Sequence, residues 1–291
     1  MKSICIKITN PKTTEYLLEK LNAFALDDVY FSCKKFKIYE NVIVHFKGKN
    51  EKLFLKKISN LLALVIIDLF EKNIIKKLIN SEYFYFDSFE QTQITNITLE
   101  DLYSKEESIY KENERFDTLC DDFYKYLVSN KSIILKGFIT FRIKNYLEMI
   151  LEQIDKSVNK YIIEKEYSEF ISLLKMYINS ETSSCNMVHL IYQNSKPILL
   201  DENKNLIKQE DDILSSKYLS DISFSSNDFA LNTLLNLIPK KIDIHLIDCD
   251  CDEFINTLKL IFEDRITFCK DCSICNLYKK SSVVQKWYRY L

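Results

Sequence analysis

The chain reads as an α+β protein: an N-terminal β-α-β-β-α lobe, a long-helix centre, and a C-terminal α/β lobe with a hairpin and a βαβ unit. Three observations carry that reading. Apolar residues alternate with period two near both ends of the chain. They recur at three- and four-residue steps in the middle, and turn or cap residues mark each change of period.

The alternating run at residues 3–9 predicts a strand, and Asn10-Pro11 supplies a cap followed by proline at the first helical position. Two strand-like stretches, 29–39 and 42–46, flank Glu40-Asn41 and predict a hairpin. A single helix is expected over 51–80. Residues 81–103 are less periodic, and Ser104-x-x-Glu107 offers a capping-box start for a helix running to about Ser129. From Ile143, the positions Leu147, Ile150, Ile154, Val158 and Tyr161 form one helical stripe, which Tyr167, Phe170, Leu174 and Ile178 continue with a phase shift. One helix over 138–179, or two segments meeting near 164–166, accounts for that pattern. Period two then returns at 187–192 and 198–200, with 194–197 as the turn between them. Further on, a helix over 227–238 ends at Pro239, and a strand at 242–248, a helix at 252–262 and a strand at 265–269 follow. The expected division is 1–80, 81–182 and 183–291.

A length of 291 residues suits two lobes or one large domain with subdomains, and 47% hydrophobic residues suit a folded chain. The net charge of -2 announces neither nucleic acid nor membrane, although residues 1–60 hold twelve lysines against six acids and residues 82–129 twelve acids against four bases. Solvated helical faces explain both runs. With only two glycines, Gly48 and Gly137, neither in a GxGxxG or GxxxxGK[ST] setting, a P-loop or dinucleotide-binding turn is excluded. The richness in Ile, Lys, Asn, Tyr and Phe matches the drift of an AT-rich genome, so the aromatics are no argument for base stacking.

The start, MKSICIKITN, lacks the apolar core of a signal peptide, which predicts a cytoplasmic protein. The longest apolar run, 61–70, is about half of the ~20 residues a bilayer span needs and contains Asp68, so it reads as a buried helix. Nine cysteines, an odd number without export signals, argue against a disulfide framework and for thiols or metal ligands.

The stretch GFITFRIKNYLEMILEQIDKSVNKYIIEKEYSEFISLLKMYINSE, residues 137–181, resembles the YtxC family of sporulation proteins of endospore-forming Firmicutes. Gly137-Phe138-Ile139-x-Phe141-Arg142, Tyr146 and Glu166-Tyr167-x-x-Phe170-Ile171-x-Leu173-Leu174 carry the resemblance, and NMVHLIYQ at 186–193 extends it. It implies a cytosolic role in sporulation and brings no activity, cofactor or catalytic residue with it.

The strongest chemical constellation is Cys269-x-x-Cys272-x-x-Cys275, with Cys249 and Cys251 about twenty residues upstream. Two-residue spacings let successive thiolates face one ion, and tetrahedral zinc needs a fourth ligand. If the strands at 242–248 and 265–269 are parallel neighbours joined by a right-handed crossover, Cys249 or Cys251 approaches the later cysteines. The competing reading is unligated thiols. His45, His189 and His245 fall on predicted strands, His245 sharing an exposed face with Asp243. The alternating Asp248, Asp250 and Asp252 are explained by helix capping through Asp252 or Asp250 before cation ligation. Arg142 and Tyr146, four apart, are expected on one helix face, as a structural brace near Glu166 or Glu169. The basic, aromatic tail at 279–291 reads as an amphipathic end packed on its own lobe.

No catalytic signature emerges. The expectation is a non-enzymatic cytosolic protein of endospore formation acting through protein contacts, with no membrane span. A metal- or redox-responsive regulator built on the C-terminal cysteines, with zinc as the ion, is the alternative, and nucleic-acid binding a second.

Overall fold

A computed structural model, which describes residues 2–23, 28–103, 108–207 and 225–279, divides the chain into two compact units, Met1–Glu164 and Lys165–Leu291.

In the first unit, β1 (Lys2–Ile8) turns Ile4, Ile6 and Ile8 onto one buried face, as the strand period requires. The Asn10 side chain accepts from the Lys12 amide at 3.0 Å, and Pro11 opens α1 (Pro11–Asn22). β2 (Val29–Lys35) and β3 (Glu40–Phe46) form an antiparallel hairpin, and β3 also pairs antiparallel with β1. The unit β1-α1-β2 is therefore split by β3. β4 (Ser132–Ile134) adds parallel to β1 at the edge, giving the order β2-β3-β1-β4.

Helices α2 (Glu51–Leu69), α3 (Glu71–Glu82), α4 (Ser88–Tyr103), α5 (Ser108–Ser129) and α6 (Leu135–Phe141), with the first part of α7 (Lys144–Ser180), share one core with that sheet. One core runs from Ile4 through Phe54, Ile79, Phe123 and Phe138 to Val158. The separate helical centre expected from the sequence is thus part of the first unit up to Glu164. Its stripe of Tyr146, Ile150, Ile154 and Val158 is buried in the same core as the sheet.

The turn of the first hairpin lies at 36–39, so Glu40 and Asn41, expected to form it, belong to β3, and three further departures from the sequence reading concern the helices. The single helix expected over 51–80 breaks at Phe70, and the residue after the break, Glu71, is wholly buried. Arg115 Nη1 donates to Glu71 Oε2 at 2.6 Å, Tyr103 donates to Oε1 at 2.6 Å, and Tyr146 donates to Oε2. Tyr146 is thus a brace, as expected, but its partner is Glu71. Arg142 is exposed and lies over the Tyr126 ring at 5.9 Å.

The second departure is α4, in a stretch that lacks an apolar stripe. Its buried positions include Thr95 and Thr98, whose hydroxyls donate to the carbonyls of Gln91 and Ile94. Its start is held by Asp87, which accepts from the Phe89 and Glu90 amides at 2.8 Å each, while Glu90 accepts from the Asp87 amide at 3.0 Å. Third, the helix expected over 138–179 is interrupted early, between α6 and α7, and continues through 164–166. The boundary between the units falls where the apolar phase shifts, because the two halves of α7 serve different cores. The Ser104-x-x-Glu107 box and the tail beyond Lys279 lie outside the described residues.

In the second unit, β5 (Met187–Gln193) and β6 (Lys196–Leu200) make the expected hairpin around Asn194 and Ser195, both at positive φ (50° and 57°), the geometry whose twist suits a two-residue turn. The Ser225–Asp228 capping box opens α8 (Ser226–Leu237). β7 (Lys241–Ile247), α9 (Glu253–Phe262) and β8 (Ile266–Phe268) form the expected parallel βαβ unit, and the sheet order is β6-β5-β7-β8. One face, with Val188, Leu190, Ile242 and Ile244, packs on residues of α7, α8 and α9. The other face carries Ile191 and Ile247 and is covered by the segment after β8, through Ile274 and Cys275.

Candidate metal centre

The alternation in β7 sends Asp243, His245 and Ile247 to the face opposite Ile242 and Ile244. Parallel pairing sets Ile244 against Phe268, and the Cys269 amide donates to the Ile244 carbonyl at 2.9 Å. That register brings Cys269 beside His245. After Cys272 the chain turns helical over 273–279, so Cys272 stands at the start of a helix and Cys275 one turn in.

The result is a compact donor set. Nδ1 of His245 and the sulfurs of Cys269, Cys272 and Cys275 all lie within 4.8 Å of one another. Sγ of Cys275 is 3.8 Å from that of Cys269 and 3.8 Å from that of Cys272. His245 Nδ1 is 3.3 Å from Cys275 Sγ and 3.6 Å from Cys272 Sγ. A tetrahedral ion with M–S of about 2.3 Å and M–N of about 2.05 Å requires S···S near 3.8 Å and N···S near 3.6 Å. Three of these separations match the geometry of an enclosed tetrahedral ion, and the fourth, His245 to Cys275, is shorter than that geometry requires. The S···S separations are far too long for a disulfide, whose S–S bond is about 2.05 Å.

The surroundings favour ligation. His245 is 2% exposed and Cys275 4%, against a wall that includes Ile191, Ile247 and Ile274. Burial, with the neighbouring His189, lowers the pKa of His245, so the imidazole is neutral and has a lone pair to give. Nε2 of His245 lies 3.2 Å from Nδ1 of His189. With Nδ1 turned to the sulfurs, Nε2 carries the proton and donates to His189, which orients the ring. His189 is itself 4.0 Å from Asp243 Oδ2, and Asp243 is held by Lys241 Nζ at 2.9 Å and by the Thr267 hydroxyl.

The thiols are not equivalent. Burial and the two adjacent sulfurs push Cys269 up to about 12. Burial also works against ionising Cys272, but the backbone amides of Cys275 and Ile274 and the Cys269 thiol outweigh it, and its pKa is lowered.

Of the five cysteines singled out in the sequence, the structure gathers three. Asp248 adopts φ 52°, which turns the chain off the end of β7. Cys249 consequently packs toward the helix-covered face, where its thiol donates to the Tyr192 carbonyl at 3.2 Å. Cys251 is exposed, 3.4 Å from Lys259 Nζ on α9. The fourth residue of the group is His245, on β7 just before the residues expected to supply it, and buried rather than exposed. Its signal was its place in the alternation of β7 opposite a strand that ends in cysteine. Asp252 caps α9, accepting from the Ile255 amide at 3.2 Å. His45, in the first unit, shares a hydrogen bond of 2.8 Å with the Ser3 hydroxyl.

Comparison with known proteins places these elements in context. The model of the YtxC-like family matches residues 56–267, more than half of the chain. The chain is 20% identical over 193 residues to "Uncharacterized protein YtxC" of Bacillus subtilis (strain 168), a match covering 65% of this chain and 68% of that one. No solved structure matches. No helix among the described residues is long and apolar enough to cross a membrane.

Proposed function

Because the chain belongs to the YtxC-like family, we propose that it is a non-catalytic protein of endospore formation that works through protein contacts. In this reading, its C-terminal unit is locked by one zinc ion on His245, Cys269, Cys272 and Cys275. The observation that carries the metal is the four-donor set within 4.8 Å. Three sulfurs and one imidazole are the donors that zinc takes in closed structural sites, whereas catalytic zinc keeps a position open for water or substrate. The role of such an ion is to pin the 269–279 segment over the second face of the β6-β5-β7-β8 sheet, where the apolar cluster alone is small. The family resemblance is what supports the setting in endospore formation.

Two measurements test the two halves. Protein purified without chelator holds one zinc per chain, and X-ray absorption gives three sulfurs at about 2.3 Å and one nitrogen at about 2.05 Å; Cys272→Ser lowers occupancy at least tenfold. Wild type that is folded, metal-free and takes up no zinc on titration overturns the metal. For the setting, deletion of the gene lowers the count of heat-resistant spores in its source organism, and an unchanged count refutes it.

A further inference from the structure

The two glycines of the chain stand in opposite situations. At Gly48 an added Cβ would run into the Phe46 ring, so the fold itself requires the bare backbone. At Gly137, inside α6, the same Cβ would come no nearer than 3.9 Å to another atom, and the backbone has no positive φ. Glycine is a poor helix former, and nothing within the fold asks for it there.

Gly137 forms part of the wall of a groove of about 440 Å³ between β1, β4, α6 and the end of α5. Lys7 and Arg142 stand on its rim, and no carboxylate lines it. Neither cation meets an acidic partner among the described residues. Phe141, at 74% exposure, and Ile134, at 42%, project beside it. β4 is the edge of its sheet, paired with β1 on one side, and the Tyr126 hydroxyl donates to its Ser132 carbonyl at 3.3 Å. The outward carbonyls of this three-residue strand are taken, Ser132 by Tyr126 and Ile134 as the N-cap of α6, so the groove offers side chains rather than a strand edge: bare helical backbone at Gly137, exposed apolar side chains and two cations without a carboxylate partner.

We infer that this groove binds an extended acidic peptide. The peptide seats a large apolar side chain against Gly137 and sets carboxylates on Lys7 and Arg142. Charge complementarity names the sign of the partner, and the glycine marks where its side chain lies. The site belongs to the first unit and is independent of the zinc.

The test uses the full, metal-loaded chain and a fluorescein-labelled octapeptide of alternating Glu and Phe, read by anisotropy. The peptide binds, a Lys-Phe octapeptide of the same length does not, and raising the salt weakens binding severalfold. Gly137→Leu fills the groove and weakens binding at least tenfold, and so does Lys7→Glu combined with Arg142→Glu. Gly137→Ala, with room for its Cβ in the free protein, raises the thermal midpoint by about 2 °C, which shows that the position tolerates a side chain. No binding of the Glu-Phe peptide up to about 1 mM, equal binding of the Lys-Phe peptide, or indifference to Gly137→Leu overturns the inference. So does displacement of the probe by inorganic phosphate or single-stranded DNA at lower concentrations than unlabelled peptide, which would assign the groove to a small anion or to nucleic acid.

Discussion

Replacing Glu71 by leucine removes the one fully buried carboxylate among the described residues of the first unit and leaves its partners in place. Arg115, 3% exposed, keeps only the Leu102 carbonyl at 3.3 Å, and its Nε already lacks a partner. Stranding a buried guanidinium costs about 3–5 kcal/mol. The Tyr146 hydroxyl, fully buried, loses its acceptor for about 1 kcal/mol more, whereas the half-exposed Tyr103 recovers water and adds little. The expected loss is about 4–6 kcal/mol. Hydrogen-exchange mass spectrometry on peptides from 144–158 reads it without requiring the two-unit chain to unfold in one step, because protection there reports opening of the first core.

The triple variant Glu71→Leu, Arg115→Met, Tyr146→Phe removes the charges and the hydroxyl together. It is expected within about 2 kcal/mol of wild type, since a buried ion pair rarely outdoes a well-packed apolar one. A single variant that loses less than about 1.5 kcal/mol, or a triple variant as unstable as the single, would refute the account of Glu71 as a buried hub.

Two further outcomes separate ligands from neighbours. Cys249→Ser together with Cys251→Ser leaves zinc stoichiometry and affinity unchanged, because neither sulfur joins the donor set; metal lost from this variant on atomic-emission analysis would return those residues to the site. His189→Leu removes the acceptor of the His245 Nε2 proton while keeping all four donors, so zinc binds at one per chain but about 10- to 100-fold more weakly in a chelator competition; equal affinity would show that the His189 contact positions nothing.

Much of the architecture was legible along the chain because it rests on local periodicity. The hairpin of β5 and β6, the β7-α9-β8 crossover and the strand β1 follow from alternation, turn residues and caps. Elements without those signals stayed hidden: β4 is three residues long, and α4 buries threonines where a helix stripe would show leucine. The break at Phe70 depends on Arg115, Tyr103 and Tyr146, residues 32 to 75 positions away from Glu71, and no window along the sequence contains them.

The donor set divides in the same way. The spacing of Cys269, Cys272 and Cys275 was by itself enough to mark three thiols as a group, since two intervening residues place sulfurs within reach of one ion. The fourth donor was decided by tertiary structure alone. The parallel register of β7 and β8 lays His245 beside Cys269, and the turn at Asp248 carries Cys249 to the opposite face. Periodicity tells which side of a strand a residue occupies. Only the pairing of strands distant in sequence tells what it faces there.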